Sequence, residues 1–308
     1  MQDFTKQSMF EIYQTLQELL KTQNKISFTV LNPDFLASSY AGEVVKIENE
    51  EFIYRSFNSY VDLALLLDCK ILTPKYIDEK KVSITLEKVN KGKSFHNEDS
   101  NEEKYGALST FNQINKNEEP DFLINYIKCL ENTKISSRKK VLNLGVNSAG
   151  EFEVIKQLCE NFNDIEFVGV DYSSSAITLA KEKFKENSNV KFFAHDINKL
   201  EQLDLGKFDL IISIGTLQSS NMNFNETFMN IVQNYMEKNA AMIIGFPNCR
   251  WHDGQMIYGA KAKNYSFSEM SVLYKDAMFC KKYLQQKKFR VTLTGKNYIF
   301  LTATSIRK

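Results

Sequence analysis

The chain has 308 residues, 43% of them hydrophobic and 25% charged, enough for one large domain or two smaller ones with a sizeable core. Its 39 basic and 38 acidic side chains give a net charge of +1, so no overall field attracts a nucleic acid or a membrane surface. Five widely spaced cysteines without a CxxC pair, and only three histidines, argue against a disulfide framework and a zinc site.

Membrane and export signals are absent from the pattern. No run of 18 apolar residues occurs, and charged and polar residues interrupt the first twenty positions. The sequence therefore predicts neither a transmembrane helix nor a signal peptide, and we expect a cytoplasmic protein.

The first part of the chain, residues 1–95, mixes helix and strand patterns. Strands are predicted in "KISFTVL" and "KVSITLEKV", two more in "EVVKIENEEFIYRS" around a turn at Glu48–Glu50, and a buried helix in "SYVDLALLLDCK". An amphipathic helix is predicted from one apolar face: Met9, Ile12, Tyr13, Leu16, Leu19 and Leu20. We expect a small α+β domain, in which no residues have the spacing of a catalytic motif.

The polar stretch from Asn90 to Pro120 is typical of a connecting segment. We expect residues 96–130 to form a linker with lid helices. Tyr105 lies 36 positions before the next predicted strand, where it could form part of a lid over the cofactor and contact the substrate. Its aromatic neighbour Phe111 could equally belong to the core.

Residues 131–308 alternate short apolar runs with helical patterns, which predicts a doubly wound parallel sheet covered on both faces. A long helix is predicted to begin near Ser266 and Glu269, which have capping-box spacing. The end of the chain predicts an antiparallel hairpin turning at Gly295–Asn297. The five predicted strands are "KVLNLGV", "IEFVGVD", "VKFFAHD", "FDLIISIG" and "AAMIIGF".

Ligands of such sheets bind at the carboxyl ends of the strands, so the residues there are the candidate site. The first strand is followed by Gly145, Asn147 and Gly150, with the spacing G-x-N-x-x-G. Asparagine is the commonest non-glycine residue in the left-handed region, so Asn147 can stand where a glycine is usual. The helix that follows presents free N–H groups to a ligand. A purely structural turn is the alternative.

The next strands end in acidic residues. Asp171 can accept two hydrogen bonds from a ribose diol, and Tyr172 beside it could pack on a purine. Asp196 could accept from an adenine amine above Ile197. Both carboxylates could instead cap the helices that follow them. The fourth strand would border the other end of the ligand with three residues: Ser213, Gly215 and Thr216.

The series "VLNLGVNSAGE…VGVDYS…AHDI…FDLIISIGTLQ" resembles the class I S-adenosylmethionine-dependent methyltransferases over Val141–Ala303. The resemblance implies a seven-stranded Rossmann-like sheet with a terminal antiparallel hairpin and S-adenosyl-L-methionine as cofactor. It also implies that Gly145 and Asn147 hold the methionine moiety, Asp171 the ribose and Asp196 the adenine amine. Asn143 replaces the usual acid of the first strand. A nicotinamide-dependent dehydrogenase is the rival, but Asp196 and the terminal hairpin count against it.

The segment "GFPNCRWHDGQMIYGAKAKNYSFSE" is predicted to be a long loop that forms a substrate wall. Arg250 and Trp251 are the predicted substrate contacts, and His252 and Tyr258 the candidate catalytic residues. Alternatively, Trp251 and Tyr258 anchor the loop to the core and His252 faces solvent.

The predicted function is methyl transfer to a small-molecule acceptor by in-line displacement. The N-terminal domain could shape the pocket or mediate homo-oligomerisation. An RNA or protein methyltransferase is one alternative, although residues 1–95 carry 12 basic against 13 acidic side chains and so offer no excess for phosphates. A non-catalytic cofactor-binding protein is another.

Overall fold

The computed structural model describes residues 2–36, 39–90, 92, 109, 113–219, 222–260 and 268–307. The chain divides into two compact units: residues 1–94 with 251–257, and residues 95–250 with 258–308. Tyr105, Phe111 and Ser266 lie outside the described residues, so the predicted roles of Tyr105 and Phe111 stay predictions.

The first unit is an α+β fold. Its four-stranded sheet has the order β1–β2–β6–β5, and β3 pairs with β4 in a separate hairpin. The elements in chain order are β1 (Gln2–Asp3), α1 (Met9–Thr22), β2 (Lys25–Leu31), β3 (Val44–Ile47), β4 (Glu50–Ile53), α2 (Phe57–Leu66), β5 (Cys69–Tyr76) and β6 (Lys81–Lys88).

The start of α1 follows from a capping box. Glu11 N donates to Ser8 Oγ, and Ser8 N donates to Glu11 Oε2 at 2.7 Å. The helix then buries Ile12, Leu16 and Leu20, which recur every four residues on one face. The predicted helices and strands of this unit are present. The sequence did not predict β5, because Pro74 interrupts it and the partner register shifts between Leu72 and Lys75.

The second unit contains the remaining elements. In chain order they are α3 (Pro120–Asn132), β7 (Lys140–Leu144), α4 (Gly150–Leu158), β8 (Glu166–Asp171), α5 (Ser174–Lys183), β9 (Val190–Ala194), β10 (Phe208–Ile214), α6 (Phe224–Asn230), β11 (Met236–Pro247), β12 (Cys249–His252), β13 (Gln255–Tyr258), α7 (Ser271–Gln286), β14 (Phe289–Thr294) and β15 (Tyr298–Ser305). Strands β12 and β13 are the exception, since their facing ends, residues 251–257, are grouped with the first unit.

Seven of these strands form one sheet, in the order β14–β15–β11–β10–β7–β8–β9. The five strands from β11 to β9 run parallel, and β15 is antiparallel to both β11 and β14. The predicted doubly wound Rossmann-like sheet with its terminal hairpin is therefore confirmed. The strand order reverses between β7 and β10, which makes their carboxyl ends the expected ligand site.

Helices cover both faces of this sheet. One face packs an apolar cluster that includes Leu142, Ile211, Phe228 and Leu301. The other face carries an aromatic cluster with ring centroids 4.5–6.3 Å apart, formed by Phe152, Phe162, Phe167, Phe184 and Phe192. The buried strands have apolar residues on both faces for this reason, and no alternation of polar residues.

The prediction of a long loop after β11 was wrong in part, because this segment contains the two strands β12 and β13. They are joined by Asp253 and Gly254, both with positive φ (50° and 73°). Asp-Gly is a preferred pair for a two-residue hairpin turn, so the signal was present in the sequence. The long helix begins at Ser271 with Met270 as its N-cap, so the prediction that a capping box of Ser266 and Glu269 starts it was wrong. The Ser271 N–H donates to Glu269 Oε1 at 2.7 Å.

Within the described ranges, no helix combines the length and apolar character needed to cross a membrane. The same part of the chain brings together no group of three or more His, Cys, Asp or Glu side chains that could hold a metal ion.

Candidate cofactor site

The loop after β7 is built on alternating left-handed residues. Gly145, Asn147 and Ala149 have φ of 77°, 46° and 64°. The interpretation of Asn147 as a left-handed substitute for glycine is therefore consistent with the backbone. Ala149 was not predicted to share this conformation, since alanine rarely adopts it and nothing in the local pattern indicated it. Gly150, predicted as the last position of the G-x-N-x-x-G loop, is the first residue of α4 and does not have positive φ.

The loop is held tightly from two sides. The N–H groups of Gly145 and Val146 donate to the Val170 carbonyl, at 2.8 and 3.2 Å. A Cβ at Gly145 would collide with the side chain of Thr216, which follows β10. Glycine is thus required here by both the backbone conformation and the close approach of a second loop.

Asp171 closes the loop from the end of β8. Its Oδ2 accepts from Asn147 N at 2.8 Å and its Oδ1 from Ser173 N at 2.9 Å. Burial raises the pKa of this carboxyl, while the two backbone hydrogen bonds oppose the rise. The alternative that Asp171 caps α5 is wrong, because Ser173 is the N-cap and its Oγ accepts from Ala176 N at 3.3 Å.

Asp196 does act as a cap. Its Oδ1 accepts from Asn198 N at 2.9 Å, at the start of the 3₁₀ helix Ile197–Leu203. This use of one oxygen is compatible with an additional ligand on the other. Ile197 is 5% exposed and belongs to the core, whereas Tyr172 is 58% exposed and available to a ligand.

A buried donor is left without a partner beneath the loop. Asn143, in the middle of β7, is 1% exposed, and its Nδ2 has no hydrogen-bond partner among the described residues. Such a group costs free energy unless an acceptor reaches it. Asn143, the left-handed loop and Asp171 together fit a polar ligand with a diol, and S-adenosyl-L-methionine carries both a ribose diol and a carboxylate.

The end of β10 contributes structure and one unexpected side chain. Ser213 is buried and its Oγ donates to the Leu144 carbonyl at 3.1 Å, which ties β10 to β7. Gly215 has φ of 74° and its N–H donates to the Gly245 carbonyl. Three positions further on, Gln218 holds both amide atoms buried without a partner in the described part of the chain.

Two contacts with α4 could not be inferred from the sequence. Lys116 Nζ forms an ion pair with Glu151 Oε1 at 2.6 Å, and Asn117 Nδ2 donates to the Gly150 carbonyl at 3.0 Å. The partners are 35 and 33 positions apart, so no local pattern reveals them.

The predicted substrate residues are divided between the units. Arg250 and Tyr258 belong to the second unit, Trp251 and His252 to the first. Arg250 Nη2 lies 3.4 Å from Ser268 Oγ, and Lys296 Nζ lies 5.6 Å from the Tyr258 ring centroid. The substrate and catalytic roles of these four residues, and of Tyr105, stay predictions.

A sequence profile of the family described as "Methyltransferase domain" matches residues 135–294, more than half of the chain. The chain belongs to this family. The predicted class, an S-adenosylmethionine-dependent methyltransferase, is confirmed at this level, as are the Rossmann-like fold and the cofactor.

Curated relatives include carboxy-S-adenosyl-L-methionine synthases of Helicobacter pylori. The protein of strain P12 is 26% identical over 140 residues, 44% of this chain and 56% of the relative. That of strain Shi470 is 25% identical over 146 residues, 46% and 59% of the two chains. The matches thus span little more than half the length of these relatives.

Among solved structures, the N-methyltransferase NodS of Bradyrhizobium japonicum WM9, in complex with S-adenosyl-l-homocysteine, gives a TM-score of 0.45. It is 14% identical, and the match covers 62% of this chain and 91% of NodS.

Proposed function

We propose that this protein transfers the methyl group of S-adenosylmethionine to a small-molecule acceptor. The observation that carries the proposal is the pair of hydrogen bonds at Asp171. Its carboxylate is fixed by the N–H groups of Asn147 and Ser173, one from the left-handed loop and one from the turn before α5. A carboxylate held in this way has lone pairs left for two ribose hydroxyls.

The other residues of the site supply complementary contacts. Gly145, Asn147 and Ala149 shape the backbone around the methionine moiety, and Asn143 Nδ2 offers a buried donor beneath it. Asp196 would accept from the adenine amine and Tyr172 would lie against the ring. When bound, the cofactor supplies a sulfonium-activated methyl group that reacts by in-line displacement.

The chain's own contribution to the reaction is alignment and exclusion of water. Gln218, whose amide nitrogen and oxygen are buried without a partner among the described residues, would orient an acceptor or the cofactor. His252 or Tyr258 would act as a base only if the acceptor carries a proton at the attacked atom. A small-molecule acceptor is favoured over RNA by the balanced charge of residues 1–95.

A second candidate follows from the names of the curated relatives, which make carboxy-S-adenosyl-L-methionine. In that case S-adenosylmethionine itself would be the molecule modified. Mass spectrometry of the nucleoside products separates the two functions: methyl transfer yields S-adenosyl-L-homocysteine and a methylated acceptor, whereas the alternative yields a heavier sulfonium nucleoside.

The cofactor site is tested by calorimetric titration of S-adenosyl-L-homocysteine into the wild type and the Asp171→Ala variant. We expect micromolar binding by the wild type and its loss in the variant. A folded wild type that binds a nicotinamide dinucleotide and not S-adenosyl-L-homocysteine would overturn the proposal.

Asp209 provides a matched control. Its carboxylate also accepts from two backbone N–H groups, those of Lys139 and Lys140 at 2.8 and 2.9 Å, but at the amino end of β7. Asp209→Ala should therefore cost a similar stability and leave the affinity for S-adenosyl-L-homocysteine unchanged. Equal loss of binding in both variants would mean that Asp171 acts only through stability.

A further inference from the structure

The turn before α3 is attached to the first turn of α4 by two side chains. Lys116 pairs with Glu151 at 2.6 Å, and Asn117 Nδ2 donates to the Gly150 carbonyl at 3.0 Å. Lys116 Nζ also lies 5.2 Å from the centroid of the Phe122 ring. Residues 116 and 117 thus attach the segment before α3 to the helix that begins directly after the cofactor loop.

Glu151 is an unusual residue for this position. It is 2% exposed, and a carboxylate removed from water in this way is costly unless a cation compensates it. Its place in the first turn of α4 favours a negative charge. Glu151 also follows by four positions Asn147, whose N–H donates to the Asp171 carboxylate. The Glu151 carboxylate raises the pKa of Asp171, and the Lys116 ammonium acts in the opposite direction.

We propose that Lys116 is a positioning residue of the cofactor site, which by neutralising Glu151 keeps Asp171 ionised and the loop before α4 in its binding conformation. This inference rests on the proposed function, in which an ionised Asp171 accepts from the ribose diol. Lys116 itself contacts Glu151 and not Asp171, so it acts through the charge of the pair.

Three other titratable groups flank Asp171 in the part of the chain that the structure describes. On the β9 side, His195 directs its ring Nε2 to the Lys199 carbonyl at 2.9 Å, and Asp196 accepts from Asn198. The phenol of Tyr172 is the adjacent side chain along the chain and is exposed. On the β7 side, the loop presents the side chains of Val146, Asn147 and Ser148, which do not titrate. Among the described residues, Lys116 and Glu151 are therefore the pair whose charges act on this carboxyl.

The inference makes opposite predictions for the two partners. Removal of the cation in Lys116→Met should move the acid limb of S-adenosyl-L-homocysteine binding to higher pH. Removal of the anion in Glu151→Gln should move it to lower pH, and the double variant should lie close to the wild type. Lys128→Met is the control, because Lys128 is exposed on α3.

Two measurements test the set: calorimetric affinity across the acidic range, and the carboxyl carbon titration of Asp171 by NMR in the ligand-free protein. The inference would be overturned if the variants changed the affinity by the same factor at every pH. It would also be overturned if Asp171 titrated identically in the wild type and in Glu151→Gln. Glu151→Gln removes the more deeply buried of the two charges and leaves Lys116, whose side chain is 24% exposed, so it decides the matter even if Lys116→Met fails to fold. A wild type without affinity for S-adenosyl-L-homocysteine would instead overturn the proposed function, while the NMR titration still reports on the pair.

Discussion

The backbone N–H of Asn147 donates to Oδ2 of Asp171 across 2.8 Å, joining the loop after β7 to the end of β8. The two residues are 24 positions apart, and they lie at the carboxyl ends of two neighbouring parallel strands, Asn147 after β7 and Asp171 as the last residue of β8. The hydrogen bond makes the loop conformation and the orientation of the acid interdependent. A substitution that disturbs either one is therefore expected to affect the whole cofactor site.

The first prediction concerns pH. Because burial raises the pKa of Asp171 above 3.8, the folded protein binds this proton more tightly than the unfolded chain. This proton therefore adds to the free energy of unfolding. Its contribution is fully present below pH 3.8 and is lost as pH rises through the raised pKa of Asp171 in the folded state. In Asp171→Asn the side chain no longer titrates. The variant also loses one hydrogen bond, which should lower the free energy of unfolding by about 1 kcal/mol.

We therefore expect the stability of the wild type, measured relative to Asp171→Asn by urea unfolding, to increase as pH is lowered from neutral toward the ordinary range of aspartate. If the free energy of unfolding of the wild type instead fell relative to that of Asp171→Asn on acidification, the pKa of Asp171 would be lowered in the folded protein and not raised.

The second prediction concerns Asn147 and its φ of 46°. Asn147→Gly should fold and bind S-adenosyl-L-homocysteine within a few-fold of the wild type, because glycine adopts this backbone freely and the N–H to Asp171 is kept. Asn147→Val should lose about 1–2 kcal/mol of stability, since a β-branched residue is strained there. Melting temperatures and calorimetric affinities of the pair check this. Equal melting temperatures and affinities of the two variants would argue against a left-handed backbone at position 147.

The third prediction concerns Gly145. Gly145→Ala combines an unfavourable φ of 77° with a collision against Thr216, so it should lower stability by more than about 1 kcal/mol and weaken cofactor binding at least tenfold. Adding Thr216→Gly removes the collision but not the backbone strain, and should restore only part of the loss. Denaturant unfolding of the single and double variants measures both parts. Full recovery would assign the whole effect to the collision.

The fourth prediction concerns the five cysteines. Burial raises the pKa of the Cys249 thiol to about 12 and that of Cys69 to about 11, and it also raises the pKa of Cys129 and Cys280. Because the thiolate is the reactive form and the fifth thiol, that of Cys159, is buried, we expect no thiol of the native protein to react quickly with a disulfide reagent near neutral pH. The denatured chain should release five equivalents. A single fast thiol in the native state would contradict this.

The sequence alone predicted most of the strands that form the two sheets, because the apolar runs that bury a strand are local in the chain. It also predicted the backbone of Asn147, since asparagine and glycine are the residues that tolerate the left-handed region. Strand β5 was missed because Pro74 interrupts its pattern, and the β12–β13 hairpin because its Asp-Gly turn was interpreted as part of a loop.

Other features of the site depend on contacts between distant positions. The left-handed Ala149 is imposed by the path of the loop against β8, and alanine itself carries no signal for it. The compensation of Glu151 by Lys116 and the unpaired donor of Asn143 exist only once α3, α4 and β7 are packed together. Residue types and local patterns thus determined the class of the protein, while the tertiary structure decided which charges meet, because burial and distance set electrostatic energies and neither is encoded locally.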